Sequence, residues 1–129
     1  MNSIEATTTA ALSLALDAAS LRQRVIAGNI ANASTENFIP QRVNFDAHVR
    51  EARRSINEQG RLDAQALRNL ADAPLAMEPL VDSAGLPIKV QLDAEVASMA
   101  QNSVHYQVLL KGLSRHLGVL YSAASDGKR

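Results

Sequence analysis

The chain contains no cysteine and no tryptophan, and its aromatic residues are Phe38, Phe45, Tyr106 and Tyr121. The missing thiols exclude a disulfide scaffold, a thiolate zinc site and thiol catalysis. Scarce aromatic rings exclude a base-stacking platform. An excess of one charge is missing too, since thirteen Lys and Arg face thirteen Asp and Glu. Nucleic-acid binding rests on phosphate neutralisation, so the balance argues against nucleic acid as a partner. The balance is also local: residues 1–45 hold three acids and three bases, and residues 46–72 hold five of each. No block of like charge forms a tail or a patch. Long hydrophobic runs are absent. The longest near the start, Ala10 to Leu16, is interrupted by Ser13 and closed by Asp17. A bilayer span needs about twenty residues. The lead-in Met1 to Glu5 is acidic, where a secretory signal is basic. The expectation is a chain that stays in the cytoplasm, or leaves by a route that cleaves nothing.

Alanine and leucine are abundant, with twenty-two and sixteen residues. That composition suits one domain of long, closely packed helices. The C-terminal segment carries the strongest pattern. Leu92, Val96, Met99, Ser103, Tyr106, Leu110, Leu113, Leu117 and Leu120 follow at alternating steps of 4 and 3. A 3.5-residue repeat held for about four heptads is the mark of a coiled-coil seam. Asp93 is placed to cap the start of this helix, Glu95 suits its positive end, and Lys111, Arg115 and His116 lie toward its negative end. At the N-terminus Ala11, Leu14, Ala18, Leu21, Val25 and Gly28 repeat the spacing. A second apolar row, Leu12, Leu16, Ala19, Ile26 and Ile30, is broken by Gln23. It lies roughly 140° around the helix from the first. Ala97, Ala100, Val104 and Val108 form a similar extra row near the C-terminus.

These patterns predict an all-α fold, with the terminal helices (1–33 and 92–123) paired as an antiparallel coiled-coil hairpin about 45 Å long. One internal partner covers one row of each helix. The extra rows bury either in an ordinary bundle or against other chains, and large leftover apolar faces favour the second reading. Each helix alone is marginal in water, so a partly disordered monomer is expected before assembly. The segment 34–91 reads as small and irregular, with a loop at Ser34 to Gln41 and a short helix near 46–58 stopped by Gly60. A helical turn or two follows at Asp63 to Leu70, then a loop-like stretch from Ala73 to Pro87 and a possible strand at Leu86 to Val90. The tail 124–129 is expected to fray.

Catalytic chemistry leaves no trace. His48, His105 and His116 are not spaced for metal binding, and Gly112 and Gly118 fall inside a helix rather than a phosphate loop. Arg50, Glu51, Arg53 and Glu58 look like a salt-bridged helix face. No enzyme activity, cofactor, metal or small-molecule substrate is expected.

The stretch Ala27-Gly28-Asn29-Ile30-Ala31-Asn32-Ala33-Ser34-Thr35-Glu36-Asn37-Phe38 resembles the signature of bacterial flagellar axial proteins, A-x-N-hydrophobic-A-N-A-x-T-P-G-Y. Asn29, Ala31, Asn32, Ala33 and Thr35 match, and Phe38 replaces Tyr. Glu36 and Asn37 stand where the family has Pro-Gly, and Asn tolerates left-handed backbone geometry. Arg42-Val43-Asn44-Phe45 is similar to the R-D-hydrophobic-D-F of FlgB-type proximal rod proteins. Leu92-Asp93-Ala94-Glu95, with Met99, Asn102, Ser103, Tyr106 and Gln107, resembles the C-terminal helix of that type.

The resemblance implies a structural subunit of the flagellar basal-body rod, exported by the type III apparatus without a cleaved signal. It would polymerise in the periplasm into a hollow drive shaft near the export gate. Implied partners are copies of itself, other rod proteins, the adaptor FliE and export-gate proteins. On this reading Leu14, Leu21, Val25, Met99, Tyr106, Leu110, Leu113 and Leu117 zip the hairpin. Leu12, Leu16, Ile26, Ile30, Val104 and Val108 meet neighbouring subunits. Asn29 and Asn32 hydrogen-bond at the helix end, either as local caps or across subunits. The competing readings are a cytoplasmic helical-bundle adaptor or chaperone, and a small helical enzyme.

Overall fold

The structure is a computed structural model that describes residues 3–127. The first two residues of the expected terminal domain 1–33 and the last two of the tail 124–129 lie outside the described residues. Among the described residues, four helices and two short strands follow in the order α1 (Ser3–Ala31), β1 (Gln41–Asn44), α2 (Asp46–Gln59), α3 (Ala64–Asp72), β2 (Ala76–Pro79) and α4 (Leu92–Asp126). The fold is mostly helical, and the long terminal helices α1 and α4 pack on each other. Helix α4 continues to Asp126, beyond the boundary read at residue 123, and the Gly127 amide closes it on the Ala123 carbonyl at 3.0 Å.

The seam between the long helices differs from the expected one. On α1 the row that turns inward runs Glu5, Thr9, Leu12, Leu16, Ala19, Gln23, Ile26 and Ile30, all buried or half-buried. Its steps alternate 4 and 3, so it is the second apolar row of the sequence, with Gln23 filling the apparent break. On α4 the protected positions are Glu95, Met99, Asn102, Leu109, Leu113, His116 and Leu120, with Ser103 half-buried beside Asn102. Met99, Leu113 and Leu120 belong to the expected repeat. The positions between them come from the residue before Val96, Ser103, Leu110 and Leu117. Hydrogen bonding selects this setting. Asn102 Nδ2 donates to the Ala19 carbonyl and to Gln23 Oε1, each at 2.8 Å, and Gln23 Nε2 donates to Ser103 Oγ at 3.0 Å.

The middle segment is more ordered than expected, and the all-α expectation is corrected by a two-stranded antiparallel sheet. β1 pairs with β2 in the register Gln41↔Pro79, Arg42↔Glu78, Val43↔Met77 and Asn44↔Ala76. The Arg42 guanidinium and the Asn44 amide both grip the Glu78 carboxylate. These contacts, Asn44 first, hold the Glu78 carboxyl below its ordinary value. The expected strand at Leu86 to Val90 is reduced to one bridge, Val81↔Pro87. Beneath that bridge Asp82 accepts the amides of Ala84 and Leu86, both at 2.9 Å, and Gly85 adopts φ 80°. The turn chemistry of this segment outweighs its weak strand pattern.

Helix α2 ends on Gly60 at φ 71°, and α3 starts on Asp63, whose side chain accepts the Ala66 amide at 2.8 Å. Leu67 and Leu70 are buried in α3, which packs on α1. Helix α2 packs on α3 and buries none of its own residues. The apolar core therefore consists of Leu16, Ala19, Ile26, Leu67 and Leu70, with Pro40 fully enclosed. Full burial of one large side chain gives about 1.5–3 kcal/mol. Few side chains contribute at that level, and much apolar surface stays outside.

Candidate assembly surface

Helix α4 presents that surface. Its inward row is polar at three of its positions, namely Glu95, Asn102 and His116. Much of its apolar content is consequently directed away from α1. Val104 and Val108 are 61 % and 63 % exposed, and Leu92, Val96, Leu110, Leu117, Val119 and Tyr121 are also exposed. A face of this extent exceeds the scattered apolar residues normal for a protein surface.

At the far end of α1 the chain is tied together by Asn29, which is 2 % exposed. Its Nδ2 donates to the Gln41 carbonyl at 2.8 Å, and the Gln41 amide donates to its Oδ1 at 3.0 Å. Nδ2 also lies 3.3 Å from Glu95 Oε2. Gln41 is available because the ladder bond falls on the preceding residue, where the Leu80 amide donates to the Pro40 carbonyl at 2.9 Å, so the N–H and C=O of Gln41 point away from β2. One carboxamide thus joins α1, β1 and the first turn of α4. Asn32 acts locally: its Nδ2 donates to the Gly28 carbonyl at 2.9 Å, and Thr35 Oγ1 donates to its Oδ1 at 3.2 Å. Asn37 adopts φ 62°, the left-handed turn that glycine supplies in the family signature.

The remaining signature residues divide. Phe38 is half-buried, and Phe45 lies under the Arg22 guanidinium, 4.8 Å from the ring centre. Ala31, Ala33, Tyr106 and Gln107 are exposed. Of the expected seam residues, Leu14, Leu21, Val25, Met99 and Leu113 are half-buried, whereas Tyr106, Leu110 and Leu117 are exposed. Leu14 lines a recess against Leu67 and Arg68 of α3, and Leu21 and Val25 line another with Phe38 and Met77. The first α1 row therefore meets the middle segment. Of the residues assigned to neighbouring subunits, Leu16 and Ile26 are corrected. They are buried in the chain's own interior, Ile26 at 7 % exposure, because Gln23 completes their row against α4. Leu12 and Ile30 lie half-buried on that same row, and Leu12 sits against Gly112. Val104 and Val108 stay outside.

The sequence reading takes Gln23 only as a break in the second row and Glu95 only as a partner of the helix dipole and part of the family-like stretch, whereas the structure places both on the seam. The signal for Gln23 was present, since its position continues the 4-and-3 stepping that its polarity obscured. Among the described residues no group of His, Asp and Glu is placed to hold a metal ion. The cleft between α2 and α3, lined by His48, Glu51, Arg54 and Asp63, is wide, and Arg54 is tied to Glu51 by two hydrogen bonds. No helix among the described residues is long and apolar enough to cross a membrane.

Residues 11–38 match the family model described as flagella basal body rod protein. No curated protein matches the chain. The matched stretch holds the inward row of α1 from Leu12 to Ile30, the Asn29 tie and the Asn37 turn. It supports a rod-protein family, whose role in the flagellar basal body is structural rather than enzymatic.

Proposed function

We propose that this chain is a subunit of the proximal part of the flagellar rod, of the FlgB type, and that it polymerises through its terminal helices. In this reading α1 and α4 run antiparallel as a hairpin. The order of their contacts supports this: Asn29 meets Glu95, Ala19 meets Asn102, and Glu5 meets His116. The observation that carries the proposal is the apolar outer face of α4, centred on Val104 and Val108, which nothing among the described residues covers. Burial of that face by neighbouring copies and other rod proteins would supply the stability that the small internal core lacks. The polymer would be a hollow shaft in the periplasm near the export gate, reached without cleavage of a signal, with FliE and gate proteins at its base.

The test is the double variant Val104→Asp with Val108→Asp. Both side chains stand clear of α1, so the helix content of the isolated chain should be unchanged by circular dichroism. Sedimentable assembly of the purified chain should fall by tenfold or more, and cells carrying the variant should not swim. Normal assembly and motility would overturn the proposal.

A further inference from the structure

Helix α2 carries its own uncovered apolar row. Val49 and Ile56 are exposed, and Ala52 lies between them. The far flank of the helix is neutralised, because Arg54 pairs with Glu51 and Glu58. Arg50 and Arg53 flank the apolar row on the side away from α3 and have no ionic or hydrogen-bonded partner among the described residues. What this surface fits is an apolar ridge with a free carboxylate beside it.

The outer face of α4 divides by charge. Its C-terminal half is flanked by Lys111 and Arg115, which repel a guanidinium. Its first turns expose Leu92 and Val96, 48 % and 51 % accessible, next to Asp93. Asp93 has no partner among the described residues, whereas Glu95, two residues on, turns inward to Asn29. Two other carboxylates beside exposed apolar residues are already engaged: Asp82, next to Val81, accepts two backbone amides, and Glu78, next to Met77, is held by Arg42 and Asn44. The two rows also agree in length. Val49 to Ile56 spans about 10 Å of helix axis, and Leu92 to Ala100 about 12 Å.

We infer that α2 of one copy docks on the first turns of α4 of a second copy, with Val49 and Ile56 against Leu92 and Val96, and Arg53 and Arg50 toward Asp93. The inference rests on the proposed polymer and assigns one of its contacts. The side that meets Lys111 and Arg115 is left for a different neighbour, which gives the lateral contacts a direction.

The absence of cysteine makes the test direct. Ile56→Cys and Val96→Cys are introduced into separate full-length chains, which are mixed, assembled and treated with a short bismaleimide. The mixture should give an adduct of doubled mass that neither chain gives alone. In parallel, Arg53→Asp should raise the concentration needed for sedimentable assembly about tenfold, and adding Asp93→Arg should restore it. Assembly without the mixed adduct, or a double reversal that fails to restore, overturns this contact and leaves the rod reading standing. A chain that stays monomeric at every concentration overturns both. Assembly that responds to Val104→Asp with Val108→Asp but not to Arg53→Asp overturns the contact alone.

Discussion

Asn29 shows how much one side chain can carry in a thin fold. Its carboxamide pairs with the peptide groups of Gln41 much as a neighbouring strand would, and the same nitrogen reaches Glu95. Asn29→Ala would strand these groups in a buried position, at a cost of about 1–3 kcal/mol. Urea unfolding of the isolated chain, followed by circular dichroism, measures the loss. Asn37 is the second sensitive position. Its left-handed φ of 62° suits Gly or Asn. Asn37→Gly should therefore be neutral or stabilising in the same assay, and Asn37→Val should cost about 1–2 kcal/mol. Glu78 gives a pH dependence whose sign is fixed by its depressed pKa. The support of Asn44 and Arg42 for its carboxylate is complete above the ordinary value of 4.5 and is lost as pH falls below it. The amides of β1 should exchange hydrogen faster at pH 3.5 than at pH 6, after correction for intrinsic rates, and Glu78→Gln should remove that difference.

At the scale of elements, the long helices were legible because four heptads of apolar spacing outweigh any local ambiguity. Which row of each helix would form the seam was not. Polar side chains decided it, and an apolar pattern cannot weigh an amide that finds two acceptors, as Asn102 does. The burial of Ile26 follows from the same contacts. Ile26→Asp should accordingly unfold the isolated chain rather than only block assembly, with a loss of more than about 3 kcal/mol. The Gln23–Asn102 layer lends itself to a double-mutant cycle. Gln23→Leu or Asn102→Leu alone should destabilise by about 1–3 kcal/mol, and the two together should cost less than the sum. The sheet escaped prediction for another reason. β1 and β2 are four residues each and lie more than thirty residues apart, so their pairing is set by tertiary contacts and by the Glu78 cluster rather than by local periodicity. The short helices α2 and α3 leave local marks, because Gly60 stops the first and Asp63 caps the second.

Over the whole molecule, the distribution of apolar surface matters more than its amount. The interior is small, and α4 places an apolar face outward along much of its length. Stability should then depend on company. Amides from Val104 to Val119 should exchange rapidly in the isolated chain and become protected by at least a hundredfold in the assembled state, as read by mass spectrometry. Equal protection in the two states would contradict a surface completed by neighbours. The polar layer at Gln23 and Asn102 has a mechanical consequence as well. In the proposed rod, torque would load the paired helices in shear, and shear invites packed rods to slip. If α4 slid by one heptad along α1, Asn102 would leave Ala19 and face Leu12 or Ile26, burying an amide with no acceptor at a cost of a few kcal/mol. The layer therefore works as a detent: it does little to raise overall stability, but it makes each step of slippage uphill.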